Sequence, residues 1–265
     1  MFTIEGKVGI VTGGASGIGL ACVKHFLKNG MRGVTIADIN EKLAAQVLKE
    51  LIKEYGEDKV LFVKVDVSNK NEFNDAFKKT IEKFNNIDVL VNNAGISNEK
   101  DWEKMVAVNV NGQIIGNVLG FETYIPKYKS SSLGVIINIC SIASFVVRGF
   151  NPIYSATKHA NLGLSRSFGI KEHFERTKVK VISVCPGRTE TAIADNPDLL
   201  ILNENYAKLL ECCNHRVKQS PSHVGASIVN LIENADTGSV WVIAKNEEPY
   251  EIEIVTRHQI VKKSN

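Results

Sequence analysis

Short apolar runs alternate along the chain with longer segments in which apolar residues recur every three or four positions. The runs are rich in Val and Ile and end at polar residues or glycine, a pattern typical of strands buried on both faces of a parallel sheet. Strands that alternate with helices in this way indicate βαβ units. The seven predicted strands cover residues 8–11, 34–37, 60–65, 89–91, 135–139, 179–184 and 239–243.

The segments between the runs have the period of amphipathic helices. Leu43, Val47 and Leu51, for example, lie on one helical face. No repeat and no linker rich in Pro, Gly or Ser divides the chain. We therefore predict an α/β fold, with one Rossmann-type, doubly wound domain over residues 1–265 and a seven-stranded parallel sheet flanked by helices.

Two segments depart from this rhythm. Residues 186–219 have no strand pattern and lie where such folds place a mobile cover over the substrate. A helix is then expected to begin with Ser220 as its cap and Pro221 in its first turn. The tail, residues 247–265, alternates apolar and charged residues at 251–254, which predicts an extended segment that docks on another surface, for example on a partner subunit.

The composition is that of a globular protein. Hydrophobic residues make up 44% of the 265 and charged residues 23%, which excludes a disordered or collagen-like chain. The net charge is +3, and Lys and Arg are scattered, so nucleic-acid binding is not expected. The longest apolar stretch, residues 135–147, is interrupted by polar residues and is too short to span a membrane.

Cysteine usage indicates a reducing environment. The five cysteines, at positions 22, 140, 185, 212 and 213, form no CxxC pair. Such spacing is unlike a disulfide framework or a zinc site, and we predict no metal. The strand pattern begins within the first residues and leaves no room for a signal peptide. We expect a cytoplasmic protein.

A glycine-rich turn follows the first predicted strand. Residues 12–19 read TGGASGIG and lead into a helix. Glycine permits a tight turn and lets the backbone approach a pyrophosphate closely, and the helix N-terminus adds N–H donors and positive potential. Placed between a strand and a helix, this turn predicts a dinucleotide site.

Asp38 at the end of the second predicted strand indicates which dinucleotide binds. It lies about 20 residues beyond the glycines, the spacing of a carboxylate that binds the adenosine ribose hydroxyls. Its charge would repel the 2′-phosphate of NADP, so NAD is predicted. The alternatives are a capping role for the helix near Asn40 and, with Lys42 as the nearest cation, an NADP site.

Tyr154, Lys158 and Ser141 are the candidate catalytic residues. Tyr154 and Lys158 are four residues apart and share a helical face. A phenol titrates near 10 in water, and a neighbouring ammonium favours the phenolate that a proton acceptor needs. Ser141 lies thirteen residues before Tyr154, at the end of a predicted strand, where its hydroxyl can orient the substrate oxygen.

Together with other short motifs, these residues resemble one protein family. The glycine turn, Asp66-Val67, the NNAG sequence at 92–95, Asn109, Ser141, Tyr154-x-x-x-Lys158 and Pro186-Gly187 resemble the short-chain dehydrogenase/reductase family over residues 7–241. Residues 98–104 and 154–159 are similar to the NAD-dependent hydroxyprostaglandin dehydrogenases. Residues 238–241 and the tail are more similar to the insect-type alcohol dehydrogenases.

The resemblance implies roles for further residues. Asp66 would reach the adenine amine beside Val67, and Asn92 and Gly95 would form the floor under the ribose and nicotinamide. Asn109 would kink its helix and hold a water that relays protons to Lys158. The predicted cofactor-binding residues are Gly13, Ser16, Gly17, Ile18, Gly19, Asp38, Ile39, Asp66, Val67, Asn92, Ala94, Gly95, Tyr154, Lys158, Pro186, Gly187, Thr189 and Thr191.

The predicted substrate pocket is mostly apolar. Ala143, Phe145 and Ile193 are expected to line it beside Ser141, Asn151 and Tyr154. Asn151 matches a position that is glutamine in the prostaglandin-type enzymes, which shortens the reach toward a substrate hydroxyl. Arg148 and Arg188 are single candidates for an anionic group, but we interpret both as solvated surface residues.

The sequence therefore predicts an NAD-dependent oxidoreductase of lipophilic secondary alcohols or ketones, with Tyr154 as base. The alternatives are an NADP-linked carbonyl reductase and a non-catalytic NAD-binding protein of the same fold. The presence of the tyrosine, the lysine and the loop glycines favours an enzyme. Relatives usually form dimers or tetramers, and the tail favours a homodimer.

Overall fold

The fold is built on one central sheet. A computed structural model of the chain describes residues 2–211 and 217–255. Its strands lie in the order β3-β2-β1-β4-β5-β6-β7-β8. They are β1 Val8–Thr12, β2 Gly33–Asp38, β3 Val60–Lys64, β4 Val89–Asn92, β5 Gly134–Ile139, β6 Val179–Pro186, β7 Val240–Ile243 and β8 Tyr250–Glu251.

Seven strands run parallel, which confirms the predicted sheet, and β8 adds a short antiparallel edge to β7. The β8 pairing joins Tyr250 to Val242 and Glu251 to Trp241, and Ile252 N–H donates to the Val240 carbonyl. Within the described residues the tail thus docks on its own sheet. The remainder of the predicted tail, residues 256–265, lies outside the described residues.

Helices cover both faces of the sheet. One face packs side chains such as Phe26 and Ile228 against the strands, and the other packs Phe73, Phe77 and Phe121. β1, β2 and β4 to β6 are buried along their whole length, which is why their sequences are apolar without alternation. The helices are α1 Gly17–Lys28, α2 Glu41–Tyr55, α3 Lys70–Phe84, α4 Trp102–Val106, α5 Gly112–Asn117, α6 Ile125–Tyr128, α7 Pro152–Phe168, α8 Lys171–Thr177, α9 Ala207–Glu211 and α10 Pro221–Asn234.

The strand order reverses beside β1, whose neighbours are β2 and β4. In a doubly wound sheet this reversal opens a crevice at the carboxyl ends of the strands, where ligands bind. The turn after β1 and the NNAG sequence after β4 therefore meet at one edge. Residues 102–128 also follow β4 as a continuous helical run, with π-helical segments Ala107–Asn111 and Val118–Tyr124 between α4, α5 and α6.

The predicted cover contains no strand between residue 187 and residue 211. It is made of 3₁₀ turns and the short helix α9. A single bridge between Thr189 and Gln219 closes its base, and the buried Gln219 amide donates to the Ile243 carbonyl at 2.8 Å. Ser220 caps α10 by accepting from Ser222 N–H at 3.1 Å, and Pro221 is the first helical residue.

Three of the cysteines are free and buried, namely Cys22, Cys140 and Cys185. Burial raises the pKa of the Cys22 thiol to about 12, as expected for a small core residue. Cys212 and Cys213 lie outside the described residues. In the part of the chain that the structure describes, no helix is long and apolar enough to cross a membrane, and no three His, Cys, Asp or Glu residues are grouped to hold a metal.

Candidate active site

The glycine turn leaves the start of α1 open. Gly13 and Gly17 have φ of +63° and +52°, a conformation that favours glycine. A Cβ on Gly19 would overlap the Gly13 carbonyl oxygen, so this glycine is required by packing. Ser16 makes no side-chain cap and the first turn of α1 contains no acidic residue. The helix end can therefore receive an anion such as a pyrophosphate.

Asp38 joins the end of β2 to the glycine turn. Its side chain is 9% exposed, and it accepts hydrogen bonds from Ala15 N–H at 3.0 Å and Asn40 N–H at 2.9 Å. Asn40, not Asp38, caps α2 by accepting from Leu43 N–H. Ile39, beside it, is 57% exposed. A carboxylate next to an open helix end fits a ribose-bearing nucleotide.

Three other residues predicted to bind the cofactor, Asp66, Val67 and Asn92, lie outside the lining of the cavity. Asp66 accepts from the backbone N–H and hydroxyl of Ser68, and Val67 is buried. Asn92 turns away from the cavity and donates to Asn138 Oδ1 at 2.9 Å. Asn93 lines the cavity instead, and its amide donates to the Thr12 carbonyl at 2.8 Å.

Three of the four candidate catalytic residues line one cavity: Ser141, Tyr154 and Lys158. The Lys158 ammonium lies 5.7 Å from the centre of the Tyr154 ring and donates to the Ile139 carbonyl at 3.1 Å. The Ser141 hydroxyl oxygen accepts from Ala143 N–H at 3.1 Å, so its own hydrogen can point to a substrate oxygen.

Asn109, the fourth, lies behind the cavity lining. It sits in the π-helical segment Ala107–Asn111 and is fully buried. Its Oδ1 accepts from Ile96 N–H at 2.8 Å, and its amide donates to the Ile96 carbonyl at 2.9 Å and to Thr157 Oγ1 at 3.1 Å. Asn109 thus joins the loop after β4 to α7, one residue before Lys158.

The cavity has a volume of about 660 Å³ and extends from the glycine turn to the cover. This is the size of a small-molecule site. Thr191 of the cover lies against Gly17, where a Cβ would come within 3.0 Å of Thr191 Cγ2. The predicted residues that line it are Gly13, Ser16, Gly17, Ile18, Ala94, Gly95, Ser141, Asn151, Tyr154, Lys158, Pro186, Gly187, Thr189, Thr191 and Ile193. The predicted residues outside its lining are Gly19, Asp38, Ile39, Asp66, Val67, Asn92, Asn109, Ala143 and Phe145.

The substrate end of the cavity differs in part from the prediction. Ala143 is fully buried and packs against Tyr154 from behind, and Phe145 lies outside the lining. Arg148 and Arg188 line the cavity, so their interpretation as surface residues was wrong. The sequence named both arginines as candidates but did not decide between site and surface, because the loops that carry them are placed by tertiary contacts. Asn98, Asp101, Lys104 and Leu210 also line the cavity and were not predicted as site residues.

Glu99 is a buried carboxylate next to the candidate catalytic residue Tyr154, and it was also not predicted as a site residue. It is 0% exposed and accepts from Tyr154 N–H at 2.7 Å and from Ile153 N–H at 3.2 Å. Burial raises the pKa of this carboxyl, and the two backbone hydrogen bonds oppose that shift.

Comparison with known proteins agrees with this geometry. The family model described as short chain dehydrogenase matches residues 7–198. A human protein named 15-hydroxyprostaglandin dehydrogenase (NAD+) is 33% identical over 231 residues, which is 87% of this chain and 85% of that protein. Alcohol dehydrogenase 1 of Ceratitis cosyra is 30% identical over 240 residues, 91% of this chain and 92% of that protein.

A solved structure shares the same architecture. The crystal structure of a short chain dehydrogenase/reductase from Burkholderia phymatum in complex with NAD matches with a TM-score of 0.74 and 25% identity, over 88% of this chain and 87% of that one. A cleft at the carboxyl ends of a doubly wound sheet, with a Tyr-x-x-x-Lys helix beside it, is typical of an oxidoreductase class. The chain belongs to the short-chain dehydrogenase/reductase family.

Proposed function

We propose that the protein is an NAD-dependent oxidoreductase that transfers a hydride between a lipophilic secondary alcohol, or its ketone, and the nicotinamide. The observation that carries the proposal is the position of Ser141, Tyr154 and Lys158 in one cavity with the open N-terminus of α1. One end of the cavity is suited to a pyrophosphate and the other to acid–base chemistry.

The residues of this chain divide the work. NAD, when bound in this cavity, would supply the acceptor for the hydride of the carbinol carbon. Tyr154, as phenolate, accepts the hydroxyl proton, and Ser141 donates a hydrogen bond to the same oxygen. Lys158, held by the Ile139 carbonyl at 3.1 Å, stabilises the phenolate and would bind the nicotinamide ribose. In ketone reduction the same groups act in reverse, with Tyr154 as proton donor.

Asp38 supports NAD over NADP. Its carboxylate lies at the end of β2 beside the glycine turn, where it can accept from the ribose hydroxyls and repel a 2′-phosphate. The relatives named as NAD(+)-dependent hydroxyprostaglandin dehydrogenases and the NAD complex of a family member support the same choice.

The lining of the cavity supports a lipophilic substrate. Ile193, Leu199, Leu200 and Leu210 of the cover contribute apolar side chains to the lining. The candidate catalytic residues Ser141, Tyr154 and Lys158 contribute polar groups to it. The names of the relatives, a hydroxyprostaglandin dehydrogenase and an alcohol dehydrogenase, point to hydroxylated apolar compounds. Asn151 in place of the glutamine of the prostaglandin-type enzymes favours a substrate other than prostaglandin itself.

We further propose one catalytic domain over residues 1–265, a homodimer and a cytoplasmic location. The dimer is proposed because family members usually form dimers or tetramers. The location is proposed because the three described cysteines are free and buried.

A panel assay tests the proposed function. Purified protein with NAD is screened for NADH formation against short secondary alkanols, terpenols, hydroxy fatty acids, steroids and prostaglandins, with the corresponding ketones and NADH in the reverse direction. We expect turnover of one lipophilic class with NAD and much less with NADP. Turnover with NADP alone would support the carbonyl-reductase alternative. Tight NADH binding with no turnover of any compound would favour a binding protein.

A further inference from the structure

Helix α7 leaves two backbone donors that need acceptors at its first turn. An α-helix begins with about four N–H groups that have no partner inside the helix. In α7 the first residue is Pro152, which has no N–H, and Ser155 N–H donates to the Asn151 carbonyl at 3.1 Å. The remaining donors are the N–H groups of Ile153 and Tyr154. Each oxygen of Glu99 accepts one of them.

Asn151 occupies the capping position of α7 but does not cap the helix. Asparagine is among the best capping residues, and Asn40, Asn69 and Asn98 accept N–H groups at the starts of other helical segments. The Asn151 side chain makes no cap hydrogen bond. It is 3% exposed and lines the cavity, and its Oδ1 accepts no hydrogen bond from the described residues.

We propose that Glu99 is a positioning residue that caps α7 in place of Asn151, so that the Asn151 amide stays turned toward the substrate oxygen. This inference rests on the proposed function for the identity of the ligand. Glu99 also fixes the backbone of Tyr154 through the 2.7 Å hydrogen bond. A single carboxylate therefore sets the position of the proton acceptor and leaves a second polar group available for substrate.

The turn that carries Glu99 is itself held in place. Asn98 Oδ1 accepts from Lys100 N–H at 3.1 Å and from Asp101 N–H at 3.2 Å. This turn fixes the segment from which Glu99 reaches the start of α7, 55 residues further along the chain. The positive end of the helix stabilises the buried carboxylate.

Removal of the carboxylate should make Asn151 compete for the helix. In Glu99→Ala, two buried N–H groups lose their acceptors, which is costly, and a rotation of the Asn151 side chain can satisfy one of them. The amide would then be withdrawn from the substrate. Asn151 is the only side chain at the capping position of α7, so a variant without it cannot respond in this way.

A double-mutant cycle, measured by steady-state kinetics, and a crystal structure together test the inference. Glu99→Ala, Asn151→Ala and the double variant are compared for substrate KM, kcat and NADH affinity. We expect Glu99→Ala to raise KM by about two- to tenfold, the range of one lost hydrogen bond, with unchanged NADH affinity. In the Asn151→Ala background the same change should leave KM unaltered. The matched control Asn69→Ala, which removes a cap from α3, should lower the melting temperature and leave KM unchanged.

The crystal structure of Glu99→Ala separates this inference from the proposed function, because it needs no substrate. The expected result is Asn151 Oδ1 within hydrogen-bond distance of Ile153 or Tyr154 N–H. Glu99→Gln, which keeps one acceptor oxygen, serves if the alanine variant does not fold, and the same rotation is expected at partial occupancy. An Asn151 side chain that still faces the cavity, or KM effects that add in the double variant, would overturn the inference. Absence of turnover in the wild type would count against the proposed function alone.

Discussion

Helices α1 and α7 begin at the same cleft, but the N–H donors of their first turns differ in whether a side chain binds them. At α1, Ser16 provides no cap and no acidic residue is present in the first turn. At α7, both remaining donors are occupied by the buried carboxylate of Glu99. Both helix ends line the cavity, through Ser16 and Gly17 in one case and Asn151 and Tyr154 in the other.

The difference supports the proposal that one end of the cavity holds a pyrophosphate and the other end a neutral alcohol. An open helix start offers N–H donors and positive potential to a pyrophosphate. At α7 the Glu99 carboxylate offsets the positive potential of the helix end and occupies its N–H donors. No second anion site is then left beside Tyr154. The side chains at this second helix start remain available for proton transfer and substrate orientation.

Of the variants considered, Tyr154→Phe should change kcat most while leaving NADH affinity nearly unchanged. Loss of the proposed proton acceptor should lower kcat by about 10²–10⁴-fold. NADH affinity, which we assign to the α1 end, should stay within about twofold of the wild type. Steady-state kinetics and a fluorescence titration with NADH measure the two effects. Retained turnover would show that another group accepts the proton.

Gly19→Ala should damage the α1 end. The new Cβ would overlap the Gly13 carbonyl oxygen and lie 2.6 Å from Asn93 Nδ2, so the turn must move. Overpacking of this kind costs about 3 kcal/mol at the upper end of its usual range, which corresponds to about a hundredfold loss of NADH affinity if the strain falls on the bound conformation.

Gly163→Ala is the matched control for that change. No atom lies within 4 Å of a Cβ at Gly163 on α7, so NADH affinity should be unchanged and the melting temperature equal or slightly higher. Equal NADH affinity in both alanine variants would contradict the packing role of Gly19.

Asp38→Ala combined with Ile39→Arg should change which nucleotide the α1 end accepts. The carboxylate that repels a 2′-phosphate is removed, and a cation is added at a position that is 57% exposed. Preference measured as the ratio of kcat/KM for NAD and NADP should shift toward NADP by about tenfold. Ala15 N–H also loses its acceptor, so Asp38→Asn, which keeps an acceptor oxygen, is the control for loop stability. An unchanged preference would show that Asp38 does not select the nucleotide.

Nucleotide binding to the unmodified protein also tests which dinucleotide the α1 end accepts. NADH at about a hundred times its Kd stabilises the native state by about 2.7 kcal/mol, whereas NADPH at the same concentration should give little. Differential scanning fluorimetry measures the two melting temperatures. Equal shifts would favour the NADP-linked alternative.

The cofactor end could be predicted from sequence because its determinants are local. The glycines of the turn and Asp38 act within two successive strand ends, so spacing along the chain places them. Asn92 and Asn93 show the limit of this reasoning, because neighbouring residues at a strand end face opposite sides. The pattern alone did not decide that Asn93 reaches the turn while Asn92 contacts Asn138.

The substrate end depends on contacts that are distant in sequence. Glu99 meets Tyr154 across 55 residues, and its sequence surroundings are those of an exposed charged turn. Arg148 and Arg188 enter the cavity because irregular loops carry them there. The edge strand β8 has only the two residues Tyr250–Glu251, and its pairing depends on β7 rather than on its own pattern. The contacts of Glu99, Arg148 and Arg188 arise from packing and leave no periodic signature.

The most direct test of hydride transfer is an isotope experiment. The protein is incubated with NAD and secondary alcohols deuterated at the carbinol carbon, chosen from each class of the panel, and the NADH is examined by mass spectrometry. Direct transfer predicts one deuterium in the NADH formed by the wild type, and far less labelled NADH from Tyr154→Phe. NADH that forms but carries no deuterium with any of the alcohols would contradict the proposed oxidoreductase function.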